Sequence, residues 1–186
     1  MNINKNAALL IIDMQQGLND PRFGPRNNPE AESRLHQLLS TWRAQKRPIV
    51  HVRHISKSPK SVFWPGQSGV EFQSLFVPAS EEHVVEKNVP DAFIATGLER
   101  WLRTRSIEQV VIAGAITNNS VESTARSSGN LGLDTIVLSD ATYTFDLQDA
   151  RGHSWPAEDV HALSLANLAM DYASILATAD VTAMLE

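Results

Sequence analysis

The chain has 186 residues with 16 basic and 21 acidic side chains, a net charge of −5, and 42% hydrophobic and 20% charged residues. Those proportions describe one globular domain spanning 1–186, not a disordered chain, and the acidic balance without a basic stripe argues against a nucleic-acid partner. The absence of cysteine removes disulfides, thiolate zinc sites and iron–sulfur clusters. No apolar run is long enough to span a membrane, and the opening MNINKN lacks a secretory pattern, so a cytoplasmic protein is expected.

In chain order, residues 7–12 (AALLII) read as a first strand ending at Asp13. A helical pattern over 29–46 follows, with Leu35, Leu38, Leu39 and Trp42 on one face. Residues 49–52 read as strand two and 84–85 as strand three. Residues 110–113 and 135–138 give strands four and five, and 174–176 a sixth. Helical patterns fall at 96–104, 119–131 and 156–172, with Gly132 placed to cap the second. Nearly continuous apolar strands are those covered on both faces. The expected fold is therefore α/β: a doubly wound, mainly parallel sheet of five or six strands with helices on each side. Residues 55–80 break this rhythm. They hold three prolines, two glycines, Phe63, Trp64, Phe72 and Phe76. That is too long for a plain connection and too aromatic for a flexible linker, so a packed functional loop or a partner surface is expected.

Open α/β sheets bind ligands at the carboxyl ends of their strands. That rule selects Asp13 after strand one, His51, Arg53 and His54 at the end of strand two, Lys87 after strand three, and the turn Gly114–Ser120 after strand four. Ser120, in the first turn of a helix, is either a nucleophile beside free N–H groups or simply, with Asn118, a helix cap. Asp13 is either a turn cap or an acid held ionised by a lysine. Lys87 taken alone reads as a surface lysine. His51 and His54 point to opposite faces of a regular strand and cannot share a metal. The order Ser120, Asp140 or Asp146, then His153 or His161 is that of an α/β-hydrolase triad, but the serine lies in NNSVE and not in G-x-S-x-G.

Four stretches in this order, ALLIIDMQQG, VVEKNVPDAFIATGLERWLRTRSIEQVVIAGAITNNSVESTAR, NLGLDTIVLSDATYTFD and EDVHALSLANLAMDYA, resemble the isochorismatase-like superfamily, also called cysteine hydrolases. The resemblance implies a catalytic aspartate at Asp13, a lysine at Lys87 and a cysteine position that here holds Ser120. It implies a cis peptide at Ala115–Ile116, with the N–H groups of Ile116 and Ser120 forming an oxyanion hole. By position, Gln16, His51, Arg53, Trp64 and Phe93 are expected near the substrate, with Arg53 facing either a substrate carboxylate or a structural acid. Some relatives hold a metal with an aspartate and histidines; that set has no counterpart here, so no metal and no other cofactor is expected. The partners implied are a small-molecule substrate and further copies of the chain, in a dimer or larger assembly.

Ser120 leaves three readings. It is an introduced replacement that disables an amide C–N hydrolase. Or the chain hydrolyses a vinyl ether of the isochorismate type, with Asp13 as general acid and no nucleophile. Or the protein only binds a small molecule.

Overall fold

The computed structural model describes residues 2–185. Its regular elements are β1 (Ala8–Ile12), α1 (Ala31–Ala44), β2 (Ile49–His54), β3 (His83–Lys87), α2 (Leu98–Thr104), β4 (Gln109–Ala115), α3 (Glu122–Asn130), β5 (Asp134–Tyr143), β6 (Leu147–Gln148), β7 (Ser154–Trp155), α4 (Ala157–Asp171), β8 (Ser174–Leu176) and α5 (Thr178–Ala183). Six strands form one sheet in the order β3-β2-β1-β4-β5-β8, every pair parallel. The short β6 and β7 make a separate antiparallel hairpin.

The period of two along β1 divides the core. Leu9 and Ile11 face a layer with Leu35, Leu38, Leu39 and Trp42 of α1 and Val181 of α5. Ala8, Leu10 and Ile12 face the opposite layer, with Leu98 and Leu102 of α2, Ala125 of α3 and Leu165 and Leu168 of α4. Helices on both faces hide both sides of the sheet, which is why its strands carry apolar residues at successive positions. This is the doubly wound α/β fold expected from the apolar runs.

Chain order reverses at β1: β2 lies on one side and β4 on the other. The crevice above the carboxyl ends of β1 and β4 is therefore the binding position the topology creates. Two backbone features shape it. Gly114 has φ +115°, and a Cβ there would sit 2.2 Å from the Ile12 carbonyl oxygen, so only glycine lets β4 lie this close to β1. Asp13 has φ +52°, a left-handed conformation that aspartate tolerates better than most side chains.

Several elements differ from the sequence expectation. β5 runs to Tyr143, past a register shift against β4 between Ile112 and Gly114. The segment 119–131 is not one α-helix. It opens with a wide turn, Thr117–Val121, whose Val121 N–H reaches back five residues to the Ile116 carbonyl at 3.2 Å. The β6–β7 hairpin has too little apolar patterning to be seen in sequence. The long loop is packed, one of the two outcomes expected of it: Phe76 is fully buried and Phe63 packs against the core. Phe63 lies so close to Gly17 that a Cβ on that glycine would meet its ring at 2.6 Å. The large apolar side chains that do remain exposed include Leu147, Trp155, Leu163 and Met170. No described helix is long and apolar enough to cross a membrane.

Candidate active site

Strand lengths and register bring three distant residues together. Asp13 follows β1, Lys87 closes β3, and Ser120 lies in the wide turn after β4. The Lys87 ammonium donates to Asp13 Oδ2 at 2.7 Å and to Ser120 Oγ at 3.1 Å. All three are buried, Lys87 to within 1% of its surface. A lysine so enclosed needs a charged partner, and Asp13 supplies one. The other carboxylate oxygen, Asp13 Oδ1, is buried without a hydrogen-bond partner among the described residues. Burial pushes the Asp13 carboxyl above its usual value, and Lys87 and Ser120 pull it back only in part.

The peptide Ala115–Ile116 is cis, and both residues line the cavity beside Asp13 and Ser120. This cavity holds about 410 Å³. Its body is apolar, walled by Leu18, Phe23, Val62, Phe63 and Ile116. At its rim Asp20 takes both ends of the Arg22 guanidinium at 2.9 Å, and those hydrogen bonds hold its carboxyl at about 2. His54 lines the same space edge-on to Phe63. Burial and then the Lys87 charge depress its basicity, so the ring is neutral near pH 7. Among the described residues, no three His, Cys, Asp or Glu side chains gather into a metal-sized group.

Five residues expected near the substrate from the sequence do not line this cavity. His51 and Arg53 occupy the wrong parity of β2. The cavity takes His54, and alternation sends His51 and Arg53 to the other face, where both pack on Phe72. There His51 bonds Glu82 at 2.8 Å and Arg53 pairs with Glu86. Trp64 is half-buried one position beyond Phe63, which takes the place on the cavity wall. Phe93 packs under the sheet against the α2 layer. Gln16 is exposed, its N–H bonded to the Glu71 carbonyl at 2.8 Å. The neighbour Gln15 is the structural residue. Its Oε1 accepts from His54 N–H at 2.7 Å, and its Nε2 donates to the His54 and Val70 carbonyls at 3.0 and 2.9 Å. It ties the end of β2 and the aromatic loop to the turn after β1. The pairing parity of His54 was readable from the sequence; the seating of Phe23, Phe63 and Gln15 was not, because it follows from how irregular loops pack.

Glu82 carries a prediction of its own. Burial pushes its carboxyl up, but hydrogen bonds from Arg43, the Ala79 N–H and His51 outweigh this and hold it at about 2. A depressed folded value stabilises the protein above the ordinary carboxyl range, and that stabilisation fades as pH falls from 4.5 toward 2. Glu82→Gln is expected to lower the Tm at pH 7 and to flatten its decline between pH 5 and 3, both read by scanning calorimetry. An unchanged acid limb would deny Glu82 this part in acid stability.

An acid with a free oxygen, a buried amine and a hydroxyl beside an apolar cavity, at the switch point of a doubly wound sheet, form the site of a hydrolase. The chain belongs to the isochorismatase family: the family model described as the isochorismatase domain matches residues 7–180. The uncharacterised isochorismatase family protein YrdC of Bacillus subtilis is 37% identical over 95% of this chain and 94% of its own. Nicotinamidase 3 of Arabidopsis thaliana is 29% identical over 93% of this chain and 85% of its own. A crystal structure of an isochorismatase-family protein from Chromobacterium violaceum superposes with a TM-score of 0.96 at 43% identity, covering 100% of this chain and 96% of that one.

Proposed function

We propose that this hydrolase cleaves the C–N bond of a small amide, with Ser120 as nucleophile and Asp13 as the group that moves the proton. The observation that carries the reading is Lys87 Nζ bridging Asp13 Oδ2 and Ser120 Oγ at 2.7 and 3.1 Å. Because the lysine donates to Oγ, the serine keeps its own hydrogen to give. Asp13 Oδ1, which has no partner among the described residues, is the oxygen to receive it. Oγ attacks the carbonyl carbon as its proton passes to the Asp13 carboxylate. The N–H groups of Ile116 and Ser120 are assigned to the developing oxyanion. The intermediate collapses, the C–N bond breaks, and Asp13 returns the proton to the departing amine. Water then attacks the acyl ester, giving its proton to Asp13 and so back to Oγ. Atoms and charge balance without a cofactor.

The cavity narrows the substrate class. Its walls are apolar, Asp13 is neutralised by Lys87 and Asp20 by Arg22. Lys60, also on the wall, has no ion pair among the described residues. An amide with an apolar acyl body, neutral or anionic, is favoured over a cationic one.

The test is ammonia release from a panel of neutral, anionic and cationic primary amides. Activity in the parent, absent in Ser120→Ala and Asp13→Asn, is the expected result. Full turnover by Ser120→Ala sinks the nucleophile. A second reading draws on one observation, the burial that pushes Asp13 up and favours its acid form. It is vinyl-ether hydrolysis with Asp13 as proton donor and water as the added group. The pH dependence separates the two. A base must lose its proton, so amide cleavage rises with pH through a midpoint above 3.8. An acid must keep it, so vinyl-ether cleavage falls through the same midpoint.

A further inference from the structure

α4 buries two polar side chains beside its apolar ones, Ala157, Leu165 and Leu168. His161 and Ser164 are buried, while Leu163 and Met170 are exposed. The buried pair faces the wide turn that holds Ser120. His161 Nδ1 lies 2.9 Å from Thr117 Oγ1, and its Nε2 lies 2.9 Å from the Ser139 carbonyl oxygen. A carbonyl only accepts, so Nε2 carries the hydrogen and Nδ1 accepts from the Thr117 hydroxyl. The Asn28 amide, 3.4 Å from Nε2, is then a neighbour; it donates instead to the Ser139 and Thr142 carbonyls. Ser164 Oγ gives its hydrogen to Glu122 Oε2 at 2.6 Å and lies 3.3 Å from the Thr117 carbonyl.

We propose that His161 is a positioning residue for Ser120, fixing the Thr117–Val121 turn through the Thr117 hydroxyl and anchoring it to β5 through the Ser139 carbonyl. Thr117 begins that turn and Ser120 lies within it. A leucine–valine pair would fill the same space with less desolvation, but without direction. The histidine–threonine pair sets the rotation of the turn, and with it where Oγ stands relative to Lys87 and Asp13. A reacting atom held loosely by about 1 Å loses up to about a hundredfold in rate.

The inference rests on Ser120 being the reacting group, but its test needs no substrate. The chain has no cysteine, so in a Ser120→Cys background iodoacetamide reads that single thiol. His161→Ala and Thr117→Val in this background are each expected to slow alkylation at pH 7 about tenfold and to raise the midpoint of its pH profile. His161→Asn keeps an acceptor facing Thr117 and is expected to recover to within about threefold of the parent. Alkylation of Thr117→Val at the parent rate and midpoint overturns the proposal. So does a His161→Asn protein that folds with the parent's Tm yet reacts as slowly as His161→Ala. If His161→Ala does not fold, Thr117→Val, which removes one hydroxyl, decides alone. An amide assay that fails leaves this result standing.

Discussion

Ser120→Cys is expected to raise ammonia release from the preferred amide by about a hundredfold, equal to about 2.7 kcal/mol of barrier. A thiol ionises near 8.5 in isolation and lower beside a cation or at the start of a helix, whereas a serine hydroxyl is far less acidic. The site offers the serine little compensation. Lys87 donates to its oxygen, which stabilises an alkoxide but removes no proton. Asp13 is a weak base even with burial pushing it up, and neutral His54 lines the cavity without a hydrogen bond to Oγ. The thiol at the same position needs less from its base and keeps the same lysine. Steady-state kinetics on both proteins, with Ser120→Ala beside them, reads the effect. Equal rates for all three would place the chemistry on Asp13 and water, as in vinyl-ether hydrolysis.

Lys87→Met is expected to abolish turnover and to lower stability by about 3–5 kcal/mol at pH 8, the cost of leaving a buried charge without its partner. The methionine fills the space of the lysine stem, so the loss is electrostatic and not a cavity effect. Asp13 then keeps the burial that pushes it up and loses the opposite charge that most opposed it, with the weaker pull of Ser120 left. The folded state binds this proton more tightly than the unfolded chain does. Stability therefore falls as pH rises from the ordinary carboxyl value through the raised folded one. Urea denaturation at pH 5 and pH 8 should show a smaller deficit at the lower pH. A deficit equal at both would mean that Asp13 is not the group left behind, and adding Asp13→Asn to Lys87→Met should restore most of the loss at pH 8.

These two results bear on residues whose chemistry was visible before the fold was. Asp13 follows an apolar run, Ser120 opens a helix, and strand-end position singled out both, with Lys87. What that rule could not settle was whether Lys87 was a surface lysine and Ser120 a cap. The lysine's burial goes with β3 pairing Lys87 against His54 at the end of β2, from where its ammonium reaches Asp13 and Ser120.

The sequence by itself determined the layering. Continuous apolar strands must be covered on both sides, and amphipathic segments between them supply the cover, so the parallel α/β sheet and its carboxyl-edge crevice follow from local pattern alone. Tertiary structure decided which side chains face the crevice. The seating of Phe63 on Gly17 places the loop, and the clamp from His161 to Thr117 places the turn. Each of these contacts joins residues far apart in the chain through shape and hydrogen-bond direction, which no local periodicity encodes.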